Sequence, residues 1–204
     1  SGIAMVRAMS ERLDGGSYET GESYRVTAST RVWSRLAGGV IGLVAVGEVR
    51  AIGGVSEQGV TGRWSVAAPG VAFGVLGVIG IWFPQLFGNG KDMAHDAFLG
   101  QGSIGLLFVL ALLKPLVTLL CLGSGASGGL FTPVMSTGAV LGAGLGLAWT
   151  LVWPGSPVGA FAMIGAAAMI GSARQAPVTA LALVLELTHT GFGLLVPMLI
   201  ATVL

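Results

Sequence analysis

The chain has 204 residues, of which 53% are hydrophobic and only 9% charged, and its mean hydropathy is +0.86. A soluble domain carries about 25% charged residues, so the composition excludes a soluble protein and requires a membrane one. A net charge of +1 implies neither nucleic acid nor a polyacid as partner.

The 35 glycines indicate close helix contacts. Lipid removes the hydrophobic drive between helices, and small residues let their backbones approach. Cys121 is the one cysteine, so no internal disulfide can form, and it is expected to be a small buried thiol. Beyond Asp96 the charged residues are Lys114, Arg174 and Glu186, which places residues 97–204 within or against the bilayer. The chain opens on Ser1 with no start methionine or signal peptide visible, and is expected to be a fragment.

Ile3, Val6 and Met9 fit a helix end, with Arg7, Glu11, Arg12 and Asp14 at its polar margin and Gly15-Gly16 as its break. Residues 17–30 are polar without periodicity and read as a surface loop. Arg25, Arg31 and Arg35 precede the next apolar run. Basic residues beside a span usually face the cytoplasm, but three arginines do not fix the orientation. Leu36 to Val49 is apolar but shorter than the roughly 17–25 residues of a span. It is either a tilted half-span or a continuation of its arginine-rich flank.

Arg50 to Arg63 reads as a second polar loop, and Trp64 to Phe87 as a full glycine-rich span with Trp82 as an interfacial anchor. Residues 1–64 thus precede a membrane domain expected over 65–204. Asn89-Gly90 is a turn signal. His95 stands beside Asp92 and Asp96. These are too few converging ligands for a metal site, and a solvated loop is expected.

Ser103 to Leu122 is the next span, interrupted by Lys114-Pro115. A lysine at the bilayer centre costs about 2.5–3.5 kcal/mol on insertion scales. Lys114 must therefore snorkel, face a polar cavity, pair with an acid or lie buried against protein.

Cys121 to Gly146 is the central stretch. It starts as a loop, where Gly123, Gly125, Gly128 and Gly129 let the backbone bend and another group approach. Pro133 suits the first turn of a helix, and Val134 to Trp149 is small and apolar enough for close packing in a membrane. A helix start carries free N–H groups and about half a positive charge. In a low dielectric that is an anion site. The alternative is a close-packed turn between two membrane helices. No phosphate-loop pattern with its lysine is present.

Trp153-Pro-Gly-Ser-Pro then marks an interfacial turn. Gly159 to Gly171 is a helix too short to span, Ser172 to Pro177 breaks it, and Val178 to Glu186 resumes it. Thr188 to Gly193 is a second break before a helix from Leu194 to Leu204. Helices broken over 159–204 are the pattern of transporters whose helices stop inside the membrane. Glu186, as an acid in such a helix, is a functional candidate. Its structural alternative is a bond to nearby backbone, Arg174 or Lys114. His189 reads as a polar loop histidine. No convergent His, Asp and Ser set and no metal cluster argues for an enzyme.

Gly-Ser-Gly-Ala-Ser-Gly-Gly-Leu-Phe-Thr-Pro at 123–133 resembles the GSGxxGGxFxP signature of the CLC chloride channels and chloride/proton antiporters. Two further stretches follow that family's order. One is Pro84-x-x-x-Gly88-x-Gly90. The other is the tail containing Ala176-Pro177-x-Thr179-Ala180, Val184-Leu-Glu-Leu-Thr188 and Leu195-Val-Pro-Met-Leu-Ile200. The resemblance runs from about Ala68 to Leu204.

It implies an all-α integral membrane fold of two inverted halves built from tilted and broken helices, of which this chain is similar to the second. It also implies a homodimer with one pore per subunit, in the cell membrane, with chloride and possibly protons as cargo and no cofactor. The backbone N–H groups of Leu130 and Phe131 are expected to point at a dehydrated chloride, with Gly128 and Gly129 beside it. Gly123, Ser124, Gly125 and Pro133 would shape the loop and the helix start.

Glu186 matches the family's acid in this helix, which is not the gating glutamate. The family's Gly-Ser-Gly-Ile-Pro and Gly-Arg-Glu-Gly-Pro loops are not in the sequence. The tyrosine of its inner gate would lie beyond Leu204, and Tyr18 and Tyr24 are poor substitutes. The choice between channel and exchanger therefore stays open, and these residues alone are not expected to conduct. Two other readings remain: a broken-helix transporter for another anion, and a membrane subunit that does not transport.

Overall fold

The computed structural model describes residues 27–57, 65–126, 128–188 and 192–203. The helix end near Ile3, the loop over 17–26, Tyr18, Tyr24 and His189 lie outside the described residues. Those described form helices α1 (Ala28–Glu57), α2 (Ala67–Trp82), α3 (Lys91–Phe98), α4 (Ile104–Gly123), α5 (Phe131–Thr150), α6 (Val158–Arg174), α7 (Pro177–Thr188) and α8 (Leu195–Val203). Short 3-10 turns cover Pro84–Leu86 and Phe192–Leu194. The all-α membrane fold read from the sequence is the one observed, and α1, α4 and α5 are long and apolar enough to cross a membrane.

α6 is the centre. Every residue from Ala160 to Ile170 is buried, and α5, α1, α8 and α7 pack around it. A helix of alanine, glycine and methionine is apolar on all sides, so it can be enclosed on all sides. Its contact with α5 is made by glycines. A Cβ on Gly142 would lie 2.5 Å from the Phe161 carbonyl oxygen and 2.9 Å from the Gly165 Cα. The two backbones are therefore in direct contact.

α1 resolves one of the open alternatives: the Leu36–Val49 run continues from its arginine-rich flank. The helix has 30 residues, about 45 Å at 1.5 Å per residue. Two expectations are corrected here. Ala28–Thr30 belong to its first turn, where the Thr30 N–H donates to the Thr27 hydroxyl at 3.2 Å, as an N-cap requires. Arg50–Glu57 are helical rather than loop, because the inward stripe continues as far as Val55, which packs against Gly123 of α4.

The start of α1 is fixed to the far end of α5. The Trp149 indole N–H donates to the Ser29 hydroxyl at 2.9 Å, and the hydroxyls of Thr27, Thr30 and Ser156 form a cluster at 2.8–3.1 Å. Trp149→Phe removes one such bond and is expected to lower stability by about 1 kcal/mol. Thermal melting in detergent checks this, and Ser29→Ala should add no further loss in the Trp149→Phe background.

α2 is shorter than the expected span over Trp64–Phe87. It has 16 residues, about 24 Å, and stops at Trp82. Proline at 84 disfavours helical backbone at the preceding residue, and Phe83 leaves the helix at φ −128°, ψ 71°. The apolar run then doubles back, so that the Phe87 ring covers Gly80. Trp82 is 69% exposed, as an interfacial anchor should be.

His95, Asp92 and Asp96 lie on the short helix α3, not in the expected loop. Lys114-Pro115 does not interrupt α4, which runs unbroken to Gly123. α6 extends three residues past the expected Gly171, and the break is confined to Gln175-Ala176. Gln175 takes the left-handed conformation at φ 52° and donates to the Gly171 carbonyl, after which Pro177 opens α7.

Candidate functional site

The stretch 123–133 divides into two parts with different tasks. Its first part closes α4. Gly123 is that helix's last residue and Ser124 its C-cap. Gly125 follows at φ +92°. Its N–H bonds to the Leu122 carbonyl at 3.0 Å, and the Ala126 N–H bonds to that of Cys121 at 3.2 Å. This is the paired pattern of a Schellman helix stop, which favours glycine at the left-handed position. The Ser124 hydroxyl donates to the Cys121 carbonyl at 2.6 Å. Gly123, Ser124 and Gly125, expected to support the loop and helix start, therefore end the preceding helix.

The second part opens α5. Leu130 is its N-cap and Phe131 its first residue. The first internal bond runs from the Val134 N–H to the Leu130 carbonyl at 3.3 Å. By helix geometry the N–H groups of Leu130, Phe131 and Thr132 have no acceptor within the helix. Pro133 has no N–H to lose. Its carbonyl accepts from the Ser136 and Thr137 hydroxyls, both at 2.9 Å, so the buried hydroxyls of this turn are satisfied within the helix. Around Gly128 and Gly129 there is open space: a Cβ on either would meet nothing within 4 Å.

That space is a cavity of about 300 Å³, walled on one side by Gly128, Gly129, Leu130 and Pro133 and on another by Lys114 and Asn89. Lys114 is 2% exposed. Its Nζ donates to the carbonyls of Leu86 at 3.0 Å and Gly88 at 2.9 Å. Of the placements open to it, the lysine is buried against protein, beside a cavity lined mostly by apolar side chains, among them Phe73, Leu76, Val117 and Leu122. The turn after α2 is folded tightly over it. Gly90, at φ +85°, approaches so closely that a Cβ there would lie 2.9 Å from Lys114 Cε.

The Pro84–Gly90 stretch and the 123–133 stretch, separate in the sequence, are thus two walls of one site. Thr132 and the two carbonyls are not singled out by the sequence, and Asn89 reads there only as part of a turn. A lysine followed by proline in a span, and glycines spaced to leave a helix, were the available signals.

Glu186 does not join this site. It is exposed on α7, and among the described residues it forms no ion pair with Arg174 or Lys114. The cavity lining is mostly apolar, with Asn89, the buried Lys114 and the opening of α5 at its wall; by helix geometry that opening carries free amides and the positive end of a dipole worth about half a charge. It offers no carboxylate. This set suits a small anion.

Residues 4–204 match the family described as Voltage gated chloride channel. The chain is 35% identical over 140 residues to the H(+)/Cl(-) exchange transporters ClcA of Salmonella arizonae, Salmonella paratyphi B and Salmonella newport, a match covering 68% of this chain and 29% of each relative. The chain therefore spans about three tenths of the length of the curated relatives it matches.

Proposed function

The chain belongs to the voltage-gated chloride channel family, and from that premise we propose that it contributes the second-half wall of a chloride pathway that exchanges chloride for protons. The observation that carries this reading is the single cavity onto which Gly128, Gly129, Leu130 and the buried Lys114 all open. Chloride entering it sheds water and takes N–H donors from Leu130, Phe131 and Thr132 in return. Neutral amides hold an anion without the grip of an unshared cation, and a transported ion must leave again. The Lys114 charge is softened in the same way, because two carbonyls already occupy its ammonium.

Exchange is preferred to passive conduction because the relatives at 35% identity bear the name of exchangers. The remaining contacts to the ion and the gate are taken to belong to the rest of a protein of those relatives' length. A homodimer, a multi-pass location in the cell membrane and the absence of covalent catalysis complete the proposal.

The test is chloride efflux from liposomes containing the full-length protein, with internal pH recorded in parallel. Efflux with opposite proton movement supports exchange, and efflux without it indicates a channel. No anion flux from folded protein overturns the reading. Flux from these 204 residues alone would remove the need for a second wall.

Leu130→Pro probes the amides directly. Leu130 already has φ −90°, near the range proline allows, so the substitution deletes one N–H while retaining the helix start. A hydrogen bond to a charged group contributes about 1.5–3 kcal/mol, and a loss of tenfold or more in chloride affinity, read by calorimetry, is expected.

A further inference from the structure

Glu48 lies about two thirds of the way along α1 and is 6% exposed. Both carboxyl oxygens are buried, and neither has a hydrogen-bond partner among the described residues. Its neighbours one turn away on the same helix are Val44, Ala45, Ala51 and Ile52, which offer no donor. The helices packed against α1 are α4, α5, α6 and α8.

Neither α5 nor α8 carries a charged residue. The cation of α4 is Lys114, bonded to two carbonyls. That of α6 is Arg174, which is exposed and lines a different cavity together with Arg50. Arg50 itself follows Glu48 by two positions, about 200° around the helix. Among the described residues the carboxyl group therefore has no hydrogen-bond partner, and the cations of the helices packed on α1 are engaged or directed elsewhere.

Its position along α1 is set by two contacts. Gly42 faces Ser172 near the end of α6, and Val55 touches Gly123 at the end of α4. At 1.5 Å per residue, Glu48 lies about 9 Å from the first and about 10 Å from the second along the axis. It is placed between the broken-helix joint and the glycine-rich stretch that leads to the cavity.

An ionised carboxylate removed from water without a partner costs several kcal/mol, and acids within membrane helices mark proton and ion pathways. We infer that Glu48 is a proton-binding site of the membrane domain, separate from the anion cavity: its carboxyl group is protonated in this packing of α1. It releases the proton, as carboxylate plus H⁺, when α1 moves against α6 and admits water. Proton binding then favours the closed packing, and rising pH favours the opened one.

Infrared difference spectroscopy between acid and alkaline pH, on the full-length protein in lipid, tests this without reference to transport. The expected result is a protonated-carboxyl carbonyl band, sensitive to deuterium, that is lost in Glu48→Gln. A wild-type spectrum in which Glu48→Gln removes no such band, or removes only carboxylate bands, overturns the inference. Should Glu48→Gln fail to fold, Glu48→Asp must shift the band, and an unshifted band overturns the inference equally. Absent chloride efflux would count against the transport reading while leaving this result unaffected.

Discussion

Leucine at Gly142 is expected to abolish recovery of folded protein, and alanine there to lower its melting temperature. The reason is the identity of the neighbouring atoms. A Cβ at 142 would lie 2.5 Å from the Phe161 carbonyl oxygen and 2.9 Å from the Gly165 Cα. Both are backbone atoms of α6, so no rotamer change can relieve the contact. The stripe repeats every four residues. A Cβ on Gly138 would come within 2.7 Å of the Gly165 carbonyl oxygen, and one on Gly146 within 2.5 Å of the Phe161 Cβ.

Overpacking a core that can adjust its side chains costs typically about 1–3 kcal/mol. Here the two helix axes must separate, so the cost exceeds that range for leucine. The consequence reaches the candidate site, because the first turn of α5 carries the N–H groups of Leu130, Phe131 and Thr132. Size-exclusion profiles of the fluorescently tagged variants in detergent provide the measurement. Gly144→Ala is the control on the same helix: its Cβ would meet Leu107 and Phe108 at an ordinary 3.5 Å. A Gly142→Leu protein that elutes and melts like wild type would disprove direct backbone contact between α5 and α6.

The order of broken helices was legible because proline and glycine act locally. Pro177, Pro84 and Gly125 each end or begin an element through their own backbone geometry, whatever surrounds them. Lengths were not legible where tertiary packing decided them. The run Trp64–Phe87 is apolar but for Ser65 and Gln85, yet its last residues fold back so that Phe87 covers Gly80. Hydropathy registers burial and is blind to direction. The opposite error occurred in α1, where Arg50 and Glu57 suggested a loop, although Val55 still packs on Gly123.

In the candidate site, the motif itself was legible and the division of labour among its glycines was not. The positive φ of Gly125 and the open space at Gly128 and Gly129 are set by the tertiary arrangement. The carbonyl partners of Lys114 lie 26 and 28 residues away, a pairing no local pattern records. Glu48 gave no signal either, since an acid flanked by Gly47 and Val49 looks like the margin of an apolar run.

Lys114→Met is expected to weaken both the fold and the anion site, by separable amounts. The ammonium holds the carbonyls of Leu86 and Gly88 at 3.0 and 2.9 Å, and methionine leaves them without that donor. An unsatisfied buried polar group costs about 1–3 kcal/mol, so the turn over 84–90 loosens and the melting temperature falls.

The second effect is electrostatic. At an effective dielectric of about 20, a unit charge roughly 8 Å from an anion contributes about 2 kcal/mol, and the two carbonyl dipoles cancel part of this. About tenfold in chloride affinity is therefore expected, equivalent to about 1.4 kcal/mol. Both effects are read from one experiment, because a ligand that binds only folded protein raises the melting temperature in proportion to its affinity. Melting is followed with and without chloride, using an inert anion to hold ionic strength constant. A lower melting temperature with a smaller chloride-induced rise makes Lys114 part of the anion site. A lower melting temperature with an undiminished rise confines it to holding the 84–90 turn, and the amides of α5 would then supply the selectivity for charge by themselves.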